Sequence, residues 1–235
     1  MRVAATSAGM VGHIDTWIFD LDNTLYPASS QLFAQIDVRM GRYIQQLLGV
    51  DADEAYRVQK GFFHSHGMTL PGLMEAHGVD PHHFLDFVHD VDVDVVQPNP
   101  ELGEMIGRLP GRKLVFTNAD VPYAQRVLAR LGLSESFEAL HDIHALDYVP
   151  KPQASAYANL CAVHGIEPAR AVFVEDMARN LVPAKALGMT TVWINNGSEQ
   201  GALKQGLGDA AAHIDYTVKD VGQFLATTLA LLEDR

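Results

Sequence analysis

Trp17-Ile18-Phe19-Asp20-Leu21-Asp22-Asn23-Thr24-Leu25-Tyr26-Pro27 sets an apolar run directly against two carboxylates spaced two residues apart. A strand buried on both faces of a sheet carries a continuous apolar run, and in open α/β sheets the carboxyl ends of such strands open onto the ligand crevice. The run therefore predicts a buried parallel strand with Asp20 and Asp22 at its mouth. Strand alternation sends both side chains to one side, while the turn begun by Asn23-Thr24 lets the second carboxylate swing clear of the first. One can then attack while the other handles a proton. A bare Asp-x-Asp is more often an acidic turn that caps the next segment; the apolar strand before it and Asn-Thr after it favour chemistry here.

At 235 residues the chain can bury a substantial core, either as one domain with an insertion or as two modest domains. A formal charge of -12 argues against a nucleic-acid polymer or an anionic membrane as partner, because both require an excess of Lys and Arg on some face. An anionic small substrate would need local positive charge. The single cysteine, Cys161, lies in a helical pattern, forms no intrachain disulfide and reads as a small apolar residue suited to a reducing compartment. Residues 1–14 hold no basic segment followed by an apolar run, and no apolar stretch is long enough to span a bilayer. A cytoplasmic protein, monomer or homodimer, is expected.

Past the first strand, residues 29–96 show helical patterns and no convincing strand. Leu32, Phe33, Ile36, Met40, Tyr43, Ile44, Leu47 and Leu48 recur at three and four residues, an amphipathic helix closed by Gly49. Shorter helices follow over 51–63, 70–77 and 81–89, bounded by Gly67, Gly78 and Asp80. Gln97-Pro98-Asn99-Pro100 breaks the pattern as a return linker. Beyond it strands are predicted over 113–116, 137–143, 171–174 and 190–194, alternating with helices over 122–131, 153–164, 180–187 and 221–232. This rhythm predicts an α/β fold: a Rossmann-like parallel sheet with helices on both faces, formed by residues 1–26 and 97–235, and an inserted all-α cap over 27–96. Leaving and rejoining beside the mouth of the first strand, the insertion is placed to act as a lid.

Residues just past adjacent parallel strands share one crevice, and four such positions carry unusual groups. After Asp20-Leu21-Asp22 come Thr117-Asn118-Ala119, a hydroxyl, an amide and main-chain donors at a helix start suited to an anion. Third is Lys151 between Pro150 and Pro152, where Pro152 holds it extended and suits the first turn of the next helix. Fourth is Glu175-Asp176 after Val172-Phe173-Val174. Four acids in one crevice are costly without a cation, and a hard divalent ion such as Mg²⁺ takes oxygen ligands while keeping several waters and a substrate phosphate.

In this order the four pieces resemble the haloacid dehalogenase-like hydrolase superfamily over nearly the whole chain. Its signature of Asp-x-Asp-x-Thr, a later Thr or Ser, a Lys and a pair of acids is matched by Asp20, Asp22 and Thr24, by Thr117, by Lys151, and by Glu175 and Asp176. The helical insertion resembles the cap of the subgroup that includes phosphoglycolate phosphatase and β-phosphoglucomutase. Residues 20–27, Gly67-Met68-Thr69-Leu70-Pro71-Gly72-Leu73 and Val174-Glu175-Asp176-Met177-Ala178-Arg179-Asn180-Leu181 are similar to the pyrimidine 5'-nucleotidase branch. That branch often has Ser where this chain has Met177, which leaves the hydrogen bonding around the acid pair open. The resemblance implies that Asp20 attacks phosphorus to give an aspartyl phosphate. It further implies that Asp22 protonates the leaving group, then activates water, and joins the metal shell through its main-chain carbonyl. Thr117 and the Asn118 main chain would hold phosphate oxygens, Lys151 would neutralise charge, Asp176 would ligate Mg²⁺ directly and Glu175 through water or from behind. The implied reaction is Mg²⁺-dependent hydrolysis of a pyrimidine nucleoside 5'-monophosphate (UMP or CMP). Alternatives are another small phosphorylated metabolite (a sugar phosphate or phosphoglycolate) or a non-catalytic phosphometabolite-binding module. Dehalogenation has no use for an acid at position 22.

His64, His66, His77, His82, His83 and His89 crowd the insertion, yet no cysteine pair or well-spaced acid completes a zinc set, so they read as exposed or packing residues, one of which could touch substrate. His141 and His144 read as structural. The Gly-rich stretch 197–208 lacks the Gly-Lys-Ser/Thr ending of a nucleotide P-loop and reads as a surface connection. Trp17 and Trp193 read as core residues.

Overall fold

The computed structural model describes residues 12–197 and 210–233. Six parallel strands form one sheet in the order β3-β2-β1-β4-β5-β6, with β1 Thr16–Phe19, β2 Arg112–Phe116, β3 Ala139–His141, β4 Ala171–Glu175, β5 Thr190–Ile194 and β6 Tyr216–Val218. Phe19 pairs with Val115 on one side and Val174 on the other, so β1 is central and its carboxyl end lies where the strand order reverses, the place such sheets bind ligands. Every residue of β1 and β4 is buried, as expected of strands covered on both faces. The covering helices are α5 Pro100–Arg108, α6 Val121–Leu131, α7 Ala154–His164, α8 Leu181–Ala186 and α9 Val221–Glu233. Among the described residues no helix is long and apolar enough to cross a membrane.

Between β1 and α5 run four helices, α1 Leu32–Leu48, α2 Ala52–His66, α3 Thr69–His77 and α4 Pro81–His89, and no strand. Their ends follow local chemistry. Gly49, Gly67 and Gly78 close α1, α2 and α3 in the left-handed conformation, while the carboxylates of Asp51 and Asp80 accept the Glu54 and His82 N–H groups at the starts of α2 and α4 (2.8 and 3.0 Å). α1 packs on α2 and α4, and α2 on α3. At the α2–α3 crossing Gly72 is required by close approach: a Cβ there would lie 2.2 Å from Cδ1 of Phe62. The return segment is strapped to α6, since Arg126 donates to the carbonyls of His89 (2.9 Å) and Val91 (2.5 Å) and Arg130 to that of Val96 (2.8 Å).

Three expectations need correction. The strand over 137–143 is only three residues, because the Asp142 carboxylate accepts the N–H groups of Val121 and Ala145 (3.0 and 2.9 Å) and turns the chain out of the sheet. The helix after Thr117-Asn118-Ala119 begins two residues past Ala119, at Val121, with Asp120 capping Tyr123 N–H (3.0 Å). Pro152 stands outside α7, in a turn closed by Gln153 N–H on the Pro150 carbonyl (2.9 Å). The edge strand β6 was not anticipated: Tyr-Thr-Val is short, polar at its centre and only partly buried. Of the Gly-rich stretch 197–208, residues 198–208 lie outside the described residues.

Candidate active site

The crevice is built from the central strand outward. Asp20 N–H donates to the Val174 carbonyl (2.9 Å), extending the β1–β4 ladder one residue and fixing the first carboxylate at the strand end. Asn23 then takes φ +60, a conformation Asn tolerates, and the chain turns so that the two carboxylates part. Asp20 Oδ1 accepts from Lys151 Nζ at 2.7 Å and Oδ2 from the Thr24 hydroxyl at 3.1 Å. Asp22 instead accepts on Oδ1 from the hydroxyls of Tyr26 (2.5 Å) and Tyr123 (2.7 Å).

Lys151 is only 1 % exposed. Its ammonium also donates to the Phe116 carbonyl (2.9 Å) and lies 3.4 Å from Glu175 Oε1. Asn118 fixes its main chain from both sides, accepting Lys151 N–H (2.9 Å) and donating to the Lys151 carbonyl (3.2 Å). The Asn118 side chain is thereby committed, leaving its main chain for a ligand. Thr117, also buried, accepts Ala119 N–H on its hydroxyl (3.0 Å). Glu175 accepts from the Asn180 amide and from Asp176 N–H (3.2 Å), while Tyr157 donates to the Asn180 carbonyl (2.5 Å) and Trp193 to that of Asp176 (2.8 Å). Asn180 thus supplies hydrogen bonding to the acid pair in a chain that carries Met at 177.

Carboxylate oxygens of Asp20, Glu175 and Asp176 lie within 4.8 Å of one another, all buried. Three buried carboxyl groups around one space form an all-oxygen donor set that suits a hard divalent cation. The Asp22 side chain stands outside this group, so only its main-chain carbonyl could serve as the expected ligand from that residue. Burial and then the Asp20 charge push the Glu175 carboxyl well above the usual range despite Lys151. Burial lowers the Lys151 pKa, but Asp20 and Glu175 outweigh it and hold the ammonium above lysine's ordinary value. Burial and Asp20 raise Asp22, against the two tyrosine hydrogen bonds.

Above these groups the helical block supplies an apolar roof of Phe33, Ile36, Met40, Phe63 and Phe84 over a cavity of about 110 Å³. Arg179 joins roof to floor, its guanidinium 4.1 Å from the Phe63 ring centroid and donating to the Gly67 carbonyl at 2.9 Å. Of the six histidines in the block, His89 alone is buried; its ring stacks on Tyr123 at 4.4 Å and 16°, with Nδ1 3.1 Å from Asp120. Among the described residues no histidine belongs to a metal-binding cluster. His141 and His144 face His164 and Tyr148 (3.1 and 3.0 Å), and Trp17 and Trp193 are buried in the sheet.

Residues 14–188 match the haloacid dehalogenase-like hydrolase family. The chain belongs to it. This hydrolase is 25% identical over 190 residues to Phosphate metabolism protein 8 of Saccharomyces cerevisiae, covering 74% of its own length and 59% of the yeast protein's. It is 27% identical over 192 residues to Fructose-1-phosphate phosphatase YqaB of Escherichia coli, covering 74% and 93% respectively. Among solved structures its fold matches CbbY from Rhodobacter sphaeroides in complex with phosphate, with a TM-score of 0.61 at 18% identity over 90% of this chain and 96% of that one.

Every site residue expected of the hydrolase lies at the one crevice: Asp20, Asp22, Thr117, Asn118, Lys151, Glu175 and Asp176 all line the cavity. Sequence reasoning missed Tyr26, Tyr123 and Asn180, while His89, read as one of the exposed or packing histidines, packs on Tyr123. Tyr26 and Asn180 stand inside the family-like motifs, but their partners depend on the fold; Tyr123 carries no local signal at all.

Proposed function

We propose that the hydrolase is a phosphomonoesterase that forms an aspartyl phosphate on Asp20 and acts on pyrimidine nucleoside 5'-monophosphates, releasing nucleoside and phosphate. The observation that carries this reading is the division of labour between the two carboxylates. Asp20 is held against Lys151 at 2.7 Å beside Glu175 and Asp176, while Asp22 is turned onto two phenols. Phosphoryl transfer is chiefly positioning and charge stabilisation, and these groups supply both. Asp20 attacks phosphorus; Asp22 protonates the leaving oxygen and later activates water, a role worth about 10²–10⁴-fold. Thr117 and the Asn118 main chain hold phosphoryl oxygens, and Lys151 offsets their charge. Mg²⁺, held by Asp20 and Asp176 with Glu175 behind, would neutralise charge on the phosphoryl group. Dehalogenation would leave Asp22 without a task.

The four-helix block acts as the cap in this reading, and its aromatic and aliphatic roof supports a flat leaving group over a sugar, which needs polar partners. At about 110 Å³ the cavity is small beside the roughly 300–1,000 Å³ of ordinary ligand sites, so in this reading the cap shifts to admit a nucleotide. The substrate is a small metabolite and not a polymer, and the lone thiol Cys161 suits a cytoplasmic setting. A sugar phosphate is the second reading, favoured by the 93% coverage of the fructose-1-phosphate phosphatase.

A panel of UMP, CMP, AMP, GMP, fructose 1-phosphate and phosphoglycolate, with phosphate release measured in Mg²⁺, tests the assignment. UMP and CMP are expected to be preferred and Asp20→Asn to abolish turnover. Equal low rates across the panel sink the pyrimidine assignment, and near-normal turnover by Asp20→Asn sinks the covalent route.

A further inference from the structure

Both hydrogen bonds to the Asp22 carboxyl fall on the same oxygen. Tyr26 reaches Oδ1 from four residues along the same turn and Tyr123 from 101 residues away on α6, and their own hydroxyls are 3.4 Å apart. Both tyrosines are almost wholly buried, at 2 % and 1 % exposure. Each phenol carries one O–H, and both are directed at the Asp22 carboxyl. A carboxylic acid has one carbonyl-like oxygen, which accepts, and one hydroxyl, which donates. An oxygen already accepting two hydrogen bonds is the carbonyl-like one.

We propose that Tyr26 and Tyr123 are positioning residues: by donating together to Oδ1 they assign the transferable proton of Asp22 to Oδ2 and fix the carboxyl plane for the reaction. The inference rests on the phosphomonoesterase reading, in which every proton has a stated origin and destination. The Oδ2–H bond breaks as the P–O bond to the leaving group breaks, and the proton becomes the hydroxyl hydrogen of the released alcohol. Water then attacks phosphorus, the P–O bond to Asp20 breaks, and the water proton returns to Oδ2. His89 connects this arrangement to the cap, because its stacked ring sets the plane of Tyr123 and so the direction of the phenol.

A purely structural tyrosine pair would lower all activity alike, whereas positioning of an acid is felt most by substrates that need the proton. p-Nitrophenyl phosphate releases an acidic phenol and needs little protonation; benzyl phosphate, of similar size and shape, releases an alcohol and needs it fully. The comparison uses kcat/KM, which reports the steps through departure of the leaving group. In Tyr26→Phe/Tyr123→Phe the ratio of kcat/KM for p-nitrophenyl phosphate over benzyl phosphate is expected to rise about 10–100-fold, a part of what a general acid supplies. Each single variant should raise it by a smaller factor, which carries the test should the double variant not fold. In an Asp22→Asn background the same tyrosine changes should leave the ratio as Asp22→Asn alone sets it. A ratio within about twofold of wild type, or further change on top of Asp22→Asn, overturns the inference while leaving the phosphomonoesterase reading intact. A wild-type protein that hydrolyses neither ester overturns both.

Discussion

Replacing Lys151 by Met removes the one ammonium from between Asp20 Oδ1 at 2.7 Å and Glu175 Oε1 at 3.4 Å while keeping most of the side-chain volume. All three groups are buried, so solvent does little to screen what remains. Breaking such a buried pair by deleting one partner costs about 3–5 kcal/mol. For a chain of this size that is a fall in Tm on the order of 10 °C. The loss also has a direction in pH. Burial and Asp20 already hold Glu175 above the usual carboxyl range, and without the ammonium that push grows. A carboxyl whose folded pKa lies above its unfolded value contributes stability that is present at low pH and lost as pH rises through the folded pKa. Lys151→Met should therefore deviate least from wild type near pH 5 and most near pH 8. Urea unfolding followed by circular dichroism in EDTA, at both pH values, gives the midpoints and slopes. Adding Asp20→Asn to the variant should recover about half of the loss or more. A loss under about 1 kcal/mol, a Lys151→Met deficit larger at pH 5 than at pH 8, or no recovery with Asp20→Asn would refute the electrostatic account of this site.

Metal binding, helix packing and a partly buried histidine pair each give a further measurable outcome. Mg²⁺ at about 100 times its dissociation constant should stabilise the wild type by about 2.7 kcal/mol in thermal melts, and Asp176→Asn should remove most of that gain; equal gains in both proteins would show that the ion binds elsewhere. Gly72→Ala should cost about 1–3 kcal/mol because its Cβ would overlap Phe62, with the cost reduced in Gly72→Ala/Phe62→Leu; a neutral Gly72→Ala would mean that α2 and α3 separate freely. His141 and His164, 3.1 Å apart, are both held below the usual imidazole range, chiefly by burial. The folded state then binds fewer protons than the unfolded one, so their contribution is complete above about pH 6.5 and lost as pH falls through the lowered folded values. The urea midpoint should drop more steeply from pH 7.5 to 5.5 in the wild type than in His141→Asn/His164→Asn, and equal slopes would exclude the pair as the cause.

The strands that build the floor of the crevice were legible because burial on two faces leaves a continuous apolar run, as in Trp17-Ile18-Phe19 and Val172-Phe173-Val174. The four helices α1–α4 were legible because they carry their own punctuation: Gly49, Gly67 and Gly78 at the ends, Asp51 and Asp80 at the starts. The edges of the sheet were not. Half-exposed strands such as Ala139–His141 and Tyr216–Val218 lose the apolar signal, and a capping carboxylate on Asp142 decided where one of them stops. The charged residues of the site were visible by type and by position at strand ends. Tyr123 was invisible, and the partner of His89 was too, because sequence distance conceals the neighbour of each, Asp22 in one case and Tyr123 in the other.

The central place of β1 has a consequence for synthesis. Asp20 is made early, but the ladder partners of its strand on β2 and β4 come roughly a hundred residues later or more, and its ammonium partner is 131 residues away. Contacts so distant along the chain close late, after most of the polypeptide has left the ribosome. Until then Asp20 and Asp22 hang from an unpaired apolar segment, a surface that favours aggregation over chemistry. A prematurely terminated product ending before Glu175 carries Asp20 without its partners, so under the proposed function such fragments are expected to be inert toward phosphate esters.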